Sequence, residues 1–484
     1  MGSEIKRDLF KGVYYTAIAK YAGMIISLVI VAILSRLISP KDFGIVAIAT
    51  VLIQFLGNFT DMGIESAIIQ HKKLTKRDLS NIFSFTFWIG IIITVIFFFA
   101  AWPISSYYEN KTLLRICQIL SVNLFFSTIS IVPGALLCKE KLFKFIAYRT
   151  LAVQIIVGAI SVIAALSGLG LYSLIISPVL SSVILFVINY RKNPQKLYFS
   201  FGLESIKQIF SYSLYQFLFG LINYFSRNMD KLIVGKYLGL TSLGFYEKSY
   251  RLMMLPLQNI SHVIGPVMHP IFSEFQNDLK KLVSSYEKVV RFLAVIGFPL
   301  SVLLYFTAKE LTLIIFGPSW LPSVRVFEIL AISVGTQVIL STSGSIFQAT
   351  NSTKLLFLSG LLNTLLTVSG MFFAIFVFKT IEAVGWSMTI TFITSFILSY
   401  LIMYLYLFKR NMFFFIKQLM PGLTLSVVLI IANILFLKLS SIENLLLSLI
   451  AKSTITSIIF ILYLQLSGEY NFYEKVKSIY KKFR

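Results

Sequence analysis

The 484-residue chain is 57% hydrophobic and only 13% charged, with a mean hydropathy of +0.84, a balance that excludes a soluble domain of this size. Its 43 Lys and Arg against 20 Asp and Glu give a net charge of +23. The basic residues gather in short turns between apolar segments, which argues for membrane topology and against nucleic acid.

Met1 to Lys11 is charged and amphipathic without a small-residue cleavage site, and reads as the start of a retained first helix. About fourteen apolar segments follow, each near the roughly 20 residues that cross a hydrocarbon layer about 30 Å thick. Val13 to Leu37, Leu79 to Trp102, Ala147 to Leu166, Leu355 to Phe378 and Val427 to Leu439 with its flanks fill that length. The polar connections around His71 to Arg77, Arg191 to Glu204 and Glu274 to Lys281 are too short to fold alone. Function must therefore lie inside an all-α bundle. Cys117 and Cys138, the only cysteines, fall at apolar helix positions, so neither a disulfide framework nor a thiolate metal site is indicated.

With the N-terminus inside, about 27 of the 43 basic residues fall on the cytoplasmic side, about 9 outside and about 7 within helices. Lys72, Lys73, Lys76 and Arg77 fill one inner loop; Lys139, Lys141, Lys144 and Arg149 the next; Lys475, Lys477, Lys481, Lys482 and Arg484 the tail. These clusters set orientation and meet anionic headgroups. Both termini are expected in the cytoplasm.

Two stretches 200 residues apart align without a gap: Leu34-Ser-Arg-Leu-Ile-Ser-Pro-Lys-Asp-Phe-Gly44 and Val234-Gly-Lys-Tyr-Leu-Gly-Leu-Thr-Ser-Leu-Gly244. Arg36 matches Lys236, Gly44 matches Gly244, and Tyr15 matches Tyr215. An even number of spans between the copies puts both halves the same way up. The expected architecture is two parallel six-helix lobes, residues 1–200 and 201–410, then helices 13 and 14 over 411–468 and a basic tail over 469–484.

If the lobes flank a path, the first helix of each should carry a polar stripe. Helix 1 has Gly12, Thr16, Lys20, Gly23 and Ser27, and helix 7 has Tyr212, Gln216, Gly220, Asn223 and Arg227, at the same offsets on one helical face. Close packing through small residues accounts for the glycines but not for Lys20, since a lysine inside the bilayer needs water or an anion. A wet cavity is the favoured reading.

Helix 2 adds Thr50, Gln54, Gly57 and Asp61; helix 8 adds Arg251, Gln258, His262 and His269. Asp61 stands near a helix end, where it either caps, pairs with a loop lysine, or couples an ion. Arg251 follows Glu247 by one turn, so it is either a substrate contact or one half of an ion pair. His262 and His269 lack a third ligand at metal spacing, so no metal site is expected. Arg227, Asp230 and Lys231 form an interfacial cluster, and Ser359, Asn363 and Thr367 a weaker polar face on helix 11.

The first aligned run, with Asp61-Met-Gly63, Ala67-Ile-Ile-Gln70, Ser226-Arg-Asn-Met-Asp-Lys-Leu-Ile-Val-Gly235, Leu243-Gly-Phe-Tyr246 and Tyr250-Arg-Leu-Met-Met-Leu-Pro256, resembles the Wzx-type polysaccharide flippases of bacteria. More narrowly it is similar to the branch serving colanic and teichuronic acid export. The resemblance covers essentially the whole chain. It implies the multidrug/oligosaccharidyl-lipid/polysaccharide exporter fold, a V-shaped pair of six-helix lobes plus two helices that works by alternating access in the inner membrane. The implied substrate is an oligosaccharide repeat unit on undecaprenyl diphosphate, with membrane lipids and a polymerase of the same pathway as further partners and no cofactor. Lys20, Arg227 and Arg251 match by position the cationic cavity residues of that family. Gln216, Asn223, Thr16 and Gln54 would add polar contacts, and Asp61 is the candidate for ion coupling, with Glu65 beside it.

The chemistry fits that implication. A diphosphate with about two negative charges needs cavity cations to replace its hydration, and moving it outward is downhill by about 4–5 kcal/mol at 100 mV, inside negative. A multidrug cation antiporter of the same fold would want acidic residues deep in a lobe, where this chain's mid-helix charges are mainly basic. A polysaccharide polymerase or glycosyltransferase would want a large outer loop with paired carboxylates; here the outer loops are short, with Glu109 and Glu310 isolated. No Gly-x-x-x-x-Gly-Lys-Ser/Thr run supports an ATP-driven pump.

Overall fold

The computed structural model describes residues 2–61, 63–71, 74–199, 224, 228–275, 278–440 and 442–468. Every element among them is helical, and the chain divides into two compact units, Met1–Gly244 and Phe245–Arg484. Among the described residues, 11 helices are long and apolar enough to cross a membrane, or 12 if the pair Pro318–Ala331 and Val334–Ala349, bent by 49°, is one span. The chain is thus a multi-pass membrane protein. Of the seventh expected helix, only Tyr224 and residues 228–237 are described, and they are helical.

The first unit holds α1 (Gly2–Leu37), α2 (Pro40–Asp61), α3 (Ile64–Gln70), α4 (Lys76–Tyr107), α5 (Lys111–Ile129), α6 (Ile131–Lys139), α7 (Phe143–Ala164) and α8 (Tyr172–Lys192). Local chemistry sets the boundaries. Gly63 at φ 74° breaks α2 from α3. Thr75 and Asp78 form a reciprocal capping box that starts α4. Parts of α3, α4, α5 and α6 bury Ile64, Ile68, Ile82, Phe83, Ile129, Val132 and Leu136 in one cluster. Beyond α8 the chain runs extended along α4: Tyr198 N–H donates to Ser84 Oγ at 2.8 Å and Trp88 Nε1 donates to the Tyr198 carbonyl at 3.4 Å.

α9 (Leu240–Glu274) begins in the first unit and continues in the second. It is long enough to span but is not among the 11 apolar helices. The second copy of the repeat, Val234 to Gly244, ends in its first turns. A Cβ on Gly44 would lie 1.8 Å from the Leu240 carbonyl oxygen, and one on Gly244 would lie 2.0 Å from that of Pro40. Each glycine therefore meets the carbonyl four residues ahead of the other glycine, in the register that the sequence alignment sets. Only a residue without Cβ permits that approach.

The second unit continues with α10 (Leu279–Phe306), α11 (Ala308–Phe316), α12 (Leu321–Ala331), α13 (Val334–Leu340), α14 (Ser343–Ala349), α15 (Thr353–Phe373), α16 (Ile381–Ile402), α17 (Met412–Leu439) and α18 (Leu445–Leu466). Glycines again allow close contact: a Cβ on Gly422 would fall 2.3 Å from the Ala294 carbonyl, so α17 lies directly on α10. Val302, Leu425 and Leu429 form the apolar seam there, joined by Phe460 and Tyr463 of α18. Hence the last hairpin is built into the second unit.

Candidate functional site

Along α1, Tyr14, Ile18, Tyr21, Ile25, Val29 and Ile33 are exposed and recur every three or four residues, which is one helical face turned to lipid. The stripe of Gly12, Thr16, Lys20, Gly23 and Ser27 lies on the opposite face. Its glycines are packing positions. A Cβ on Gly12 would lie 3.1 Å from Phe143, one on Gly23 would lie 3.0 Å from Gln154 Oε1, and Gln154 Nε2 donates to the Gly23 carbonyl at 2.7 Å. Those contacts seat α1 on α7, leaving Thr16 exposed and Lys20 half-buried.

Lys20 Nζ sits 5.8 Å from the ring centroid of Tyr21, and no carboxylate among the described residues lies within ion-pair distance. Two or so turns inside an apolar span, a charged ammonium in that setting is stable only beside water or an anion.

On α2, Thr50 is half-buried, Gln54 is exposed, and a Cβ on Gly57 would meet nothing within 4 Å, so this face borders open space. Asp61, half-buried at the end of α2, accepts the Glu65 N–H at 3.4 Å, which gives it a capping role at the start of α3. Arg251 is half-buried on α9, and Gln258 is exposed. Gln216, Asn223 and Arg227 lie outside the described residues, as do the side chains of His262 and His269. Among the described residues no three His, Cys, Asp or Glu are arranged to hold a metal ion.

Several polar residues have other work than the sequence implied. The face of Ser359 and Asn363 on α15 is stitched to α16: Ser359 Oγ and Ser399 Oγ lie 2.7 Å apart, and Ser395 Oγ donates to Asn363 Oδ1 at 2.6 Å. Thr367 closes on the Asn363 carbonyl at 2.8 Å. Small polar residues glue helices in this way when no water reaches them. Arg149 lies inside α7, not in a loop, and its guanidinium donates to Asn189 Oδ1. Glu109 pairs with Lys236 at 3.1 Å, and Glu310 is buried against Lys452, so neither is isolated.

Lys248 is a residue that sequence reasoning passed over. It is 2% exposed, with Nζ 5.1 Å from the Phe316 ring and 5.4 Å from the Trp320 ring. Position 248 follows Glu247 and precedes Arg251 by one turn, so the run of charge was visible; the aromatic enclosure comes from a distant part of the chain.

Comparison with known proteins gives concordant results. Residues 33–325 match the family model described as polysaccharide biosynthesis protein. The chain is 25% identical over 356 residues to the teichuronic acid biosynthesis protein TuaB of Bacillus subtilis (strain 168), covering 73% of this chain and 74% of TuaB. It is 24% identical over 337 residues to the lipopolysaccharide biosynthesis protein WzxC of Escherichia coli (strain K12), covering 68% of this chain and 67% of WzxC. In fold it is similar to the lipid II flippase MurJ in an inward closed conformation, with a TM-score of 0.74 at 14% identity over 94% of this chain and 99% of MurJ.

Proposed function

The chain belongs to the polysaccharide biosynthesis protein family, and from that premise we propose that it is a flippase for undecaprenyl-diphosphate-linked oligosaccharide repeat units. It carries them from the cytoplasmic to the outer face of the inner membrane by alternating access, with both termini in the cytoplasm, and passes them to a polymerase of the same pathway. It acts as a transporter and not as an enzyme. The observation that carries this reading is Lys20, a half-buried lysine inside a lipid-facing helix with no carboxylate in reach among the described residues. A diphosphate supplies the missing anion. Lys20, Arg227 and Arg251 bind the diphosphate and acidic sugars; Thr16, Gln54, Gln216 and Asn223 contact the polar remainder.

A cation antiporter would need a desolvated carboxylate free to bind its cargo. Here Glu310 pairs with Lys452 and Glu287 with Arg410 at 3.3 Å, while Asp61 caps a helix. Ion coupling at Asp61 belongs to the proposal as its one acidic element.

Depleting the protein from cells that make the surface polysaccharide tests the reading. Lipid-linked repeat units should accumulate on the cytoplasmic face while their synthesis continues. Normal polysaccharide at the surface, or loss of repeat-unit synthesis itself, would overturn it.

A further inference from the structure

Lys452 stands in the third turn of α18, on the buried face it shares with Ser448 and Thr456. Its ammonium is 2.5 Å from Glu310 Oε1 and 2.9 Å from the Phe306 carbonyl oxygen, and Ser448 Oγ donates to the same Glu310 oxygen at 2.6 Å. The side chains of Lys452 and Glu310 are 7% and 4% exposed. Three segments of the second unit meet there: the end of α10, the first turn of α11, and α18.

As a source of stability this arrangement is poor. Both donors crowd one carboxylate oxygen, while Glu310 Oε2 is buried with no hydrogen-bond partner. A buried pair seldom repays its own desolvation even when fully satisfied, and well-packed apolar side chains of similar volume do as well or better. An unmet carboxylate oxygen adds a further cost. What a single buried ion pair supplies better than any apolar contact is register, because sliding α18 by one turn would leave two charges stranded in hydrocarbon. The other polar contacts of α18 hold it to α17 within the hairpin, Tyr463 to Thr424 at 2.6 Å and Asn433 Nδ2 to Thr456 Oγ1 at 3.5 Å, so it is the Glu310–Lys452 cluster that ties α18 itself to α10 and α11 by polar contact.

We infer that Glu310 and Lys452 are positioning residues, whose buried pair fixes the last helical hairpin, α17 and α18, in one register on the second unit so that the hairpin travels with that unit during transport. Neither residue needs to touch the cargo. Of the two readouts below, the export measurement rests on the flippase reading, whereas the cross-linking pattern stands without it.

The test separates stability from register by replacing the pair rather than breaking it. In a protein lacking the thiols of Cys117 and Cys138, a cysteine at Val302 is paired in turn with a cysteine at Ile459, Phe460 or Tyr463, all members of one apolar cluster. The natural pair should give one dominant cross-link. In the E310L/K452M double variant, protein abundance and thermal midpoint should hold or rise, while cross-linking spreads over the three positions and export per inserted molecule drops at least several-fold. The charge-swapped E310K/K452E variant should recover the single cross-link and part of the export. An unchanged cross-link in the folded E310L/K452M protein would overturn the inference whatever happens to export. A spread pattern with undiminished export would refute the link between register and transport. If the double variant fails to accumulate, a single dominant cross-link in E310K/K452E supports the inference, and a spread one overturns it.

Discussion

Lys20 and Lys452 look alike along the chain, each a lone lysine in an apolar span, yet their surroundings differ in kind. Lys452 is dry and bonded to a carboxylate, a carbonyl and, through Glu310, a serine. Lys20 is half-buried on the face of α1 away from lipid, with an aromatic ring as its nearest charge-stabilising neighbour. Lys452 has its counter-charge within the protein; Lys20 has no carboxylate in reach among the described residues. Mid-span charge therefore marks function only after its internal partners have been counted.

The largest effect should come from breaking the satisfied lysine. Lys452→Ala leaves Glu310 buried without its cation, which costs about 3–5 kcal/mol, and the variant should be depleted from the membrane with a lowered thermal midpoint. Lys20→Ala should do the opposite, inserting normally while export per inserted molecule falls to background. Lys20→Arg should retain part of the activity, because charge persists while its geometry changes. Normal export from an inserted Lys20→Ala protein would remove the contrast; so would normal abundance of Lys452→Ala.

A second, smaller effect sharpens the comparison between the two repeat copies. A methyl group on Gly44 or Gly244 would collide with a backbone carbonyl that cannot rotate away. Gly44→Ala and Gly244→Ala should each lower stability by about 1–3 kcal/mol, by similar amounts if the contact is reciprocal. Gly57→Ala, where nothing lies within 4 Å, is the control and should be neutral. Melting of the purified protein in detergent distinguishes them.

Smaller again is the loss expected along the stitched face of α15. Asn363→Ala removes the acceptor of Ser395 Oγ, and hydrogen bonds between helices in a membrane are worth about 0.6 kcal/mol on average. Export should be nearly unchanged, whereas a Lys20-like collapse would return this face to the substrate path.

The slightest effect concerns the turn before α10. Asp278 caps that helix, accepting the Lys281 N–H at 3.1 Å, and this backbone bond, with the Lys281 ammonium nearby, holds its carboxyl below the ordinary range. A depressed folded-state pKa contributes stability above the unfolded value and loses it as pH falls through the folded one. Asp278→Asn, which caps without titrating, should flatten the acid limb of the stability curve below about pH 4 and leave neutral pH unchanged.

Much of the fold was legible because its signals are local. Span length acts over a single helix, and the placement of basic residues over single turns. The repeat register was legible too, since Gly44 and Gly244 each need an absent Cβ. The stripe on α1 was legible as a stripe but mixed two roles, for Gly12 and Gly23 seat the helix on α7 while Lys20 lies clear of that contact. Ser359 and Asn363 gave the same periodic signal and turned out to be bonded to α16.

Length, hydrophobicity and the placement of basic turns thus determined by themselves that this chain is a multi-pass helical protein and which helices carry charge. Only the tertiary structure decided which charges are answered. Glu310 and Lys452 are 142 positions apart, and Lys248 meets its aromatic rings across some 70 positions. Periodicity assigns a residue to a face of its own helix, but the free energy of a buried charge depends on what the neighbouring helix presents to that face, and that is set by packing between distant segments.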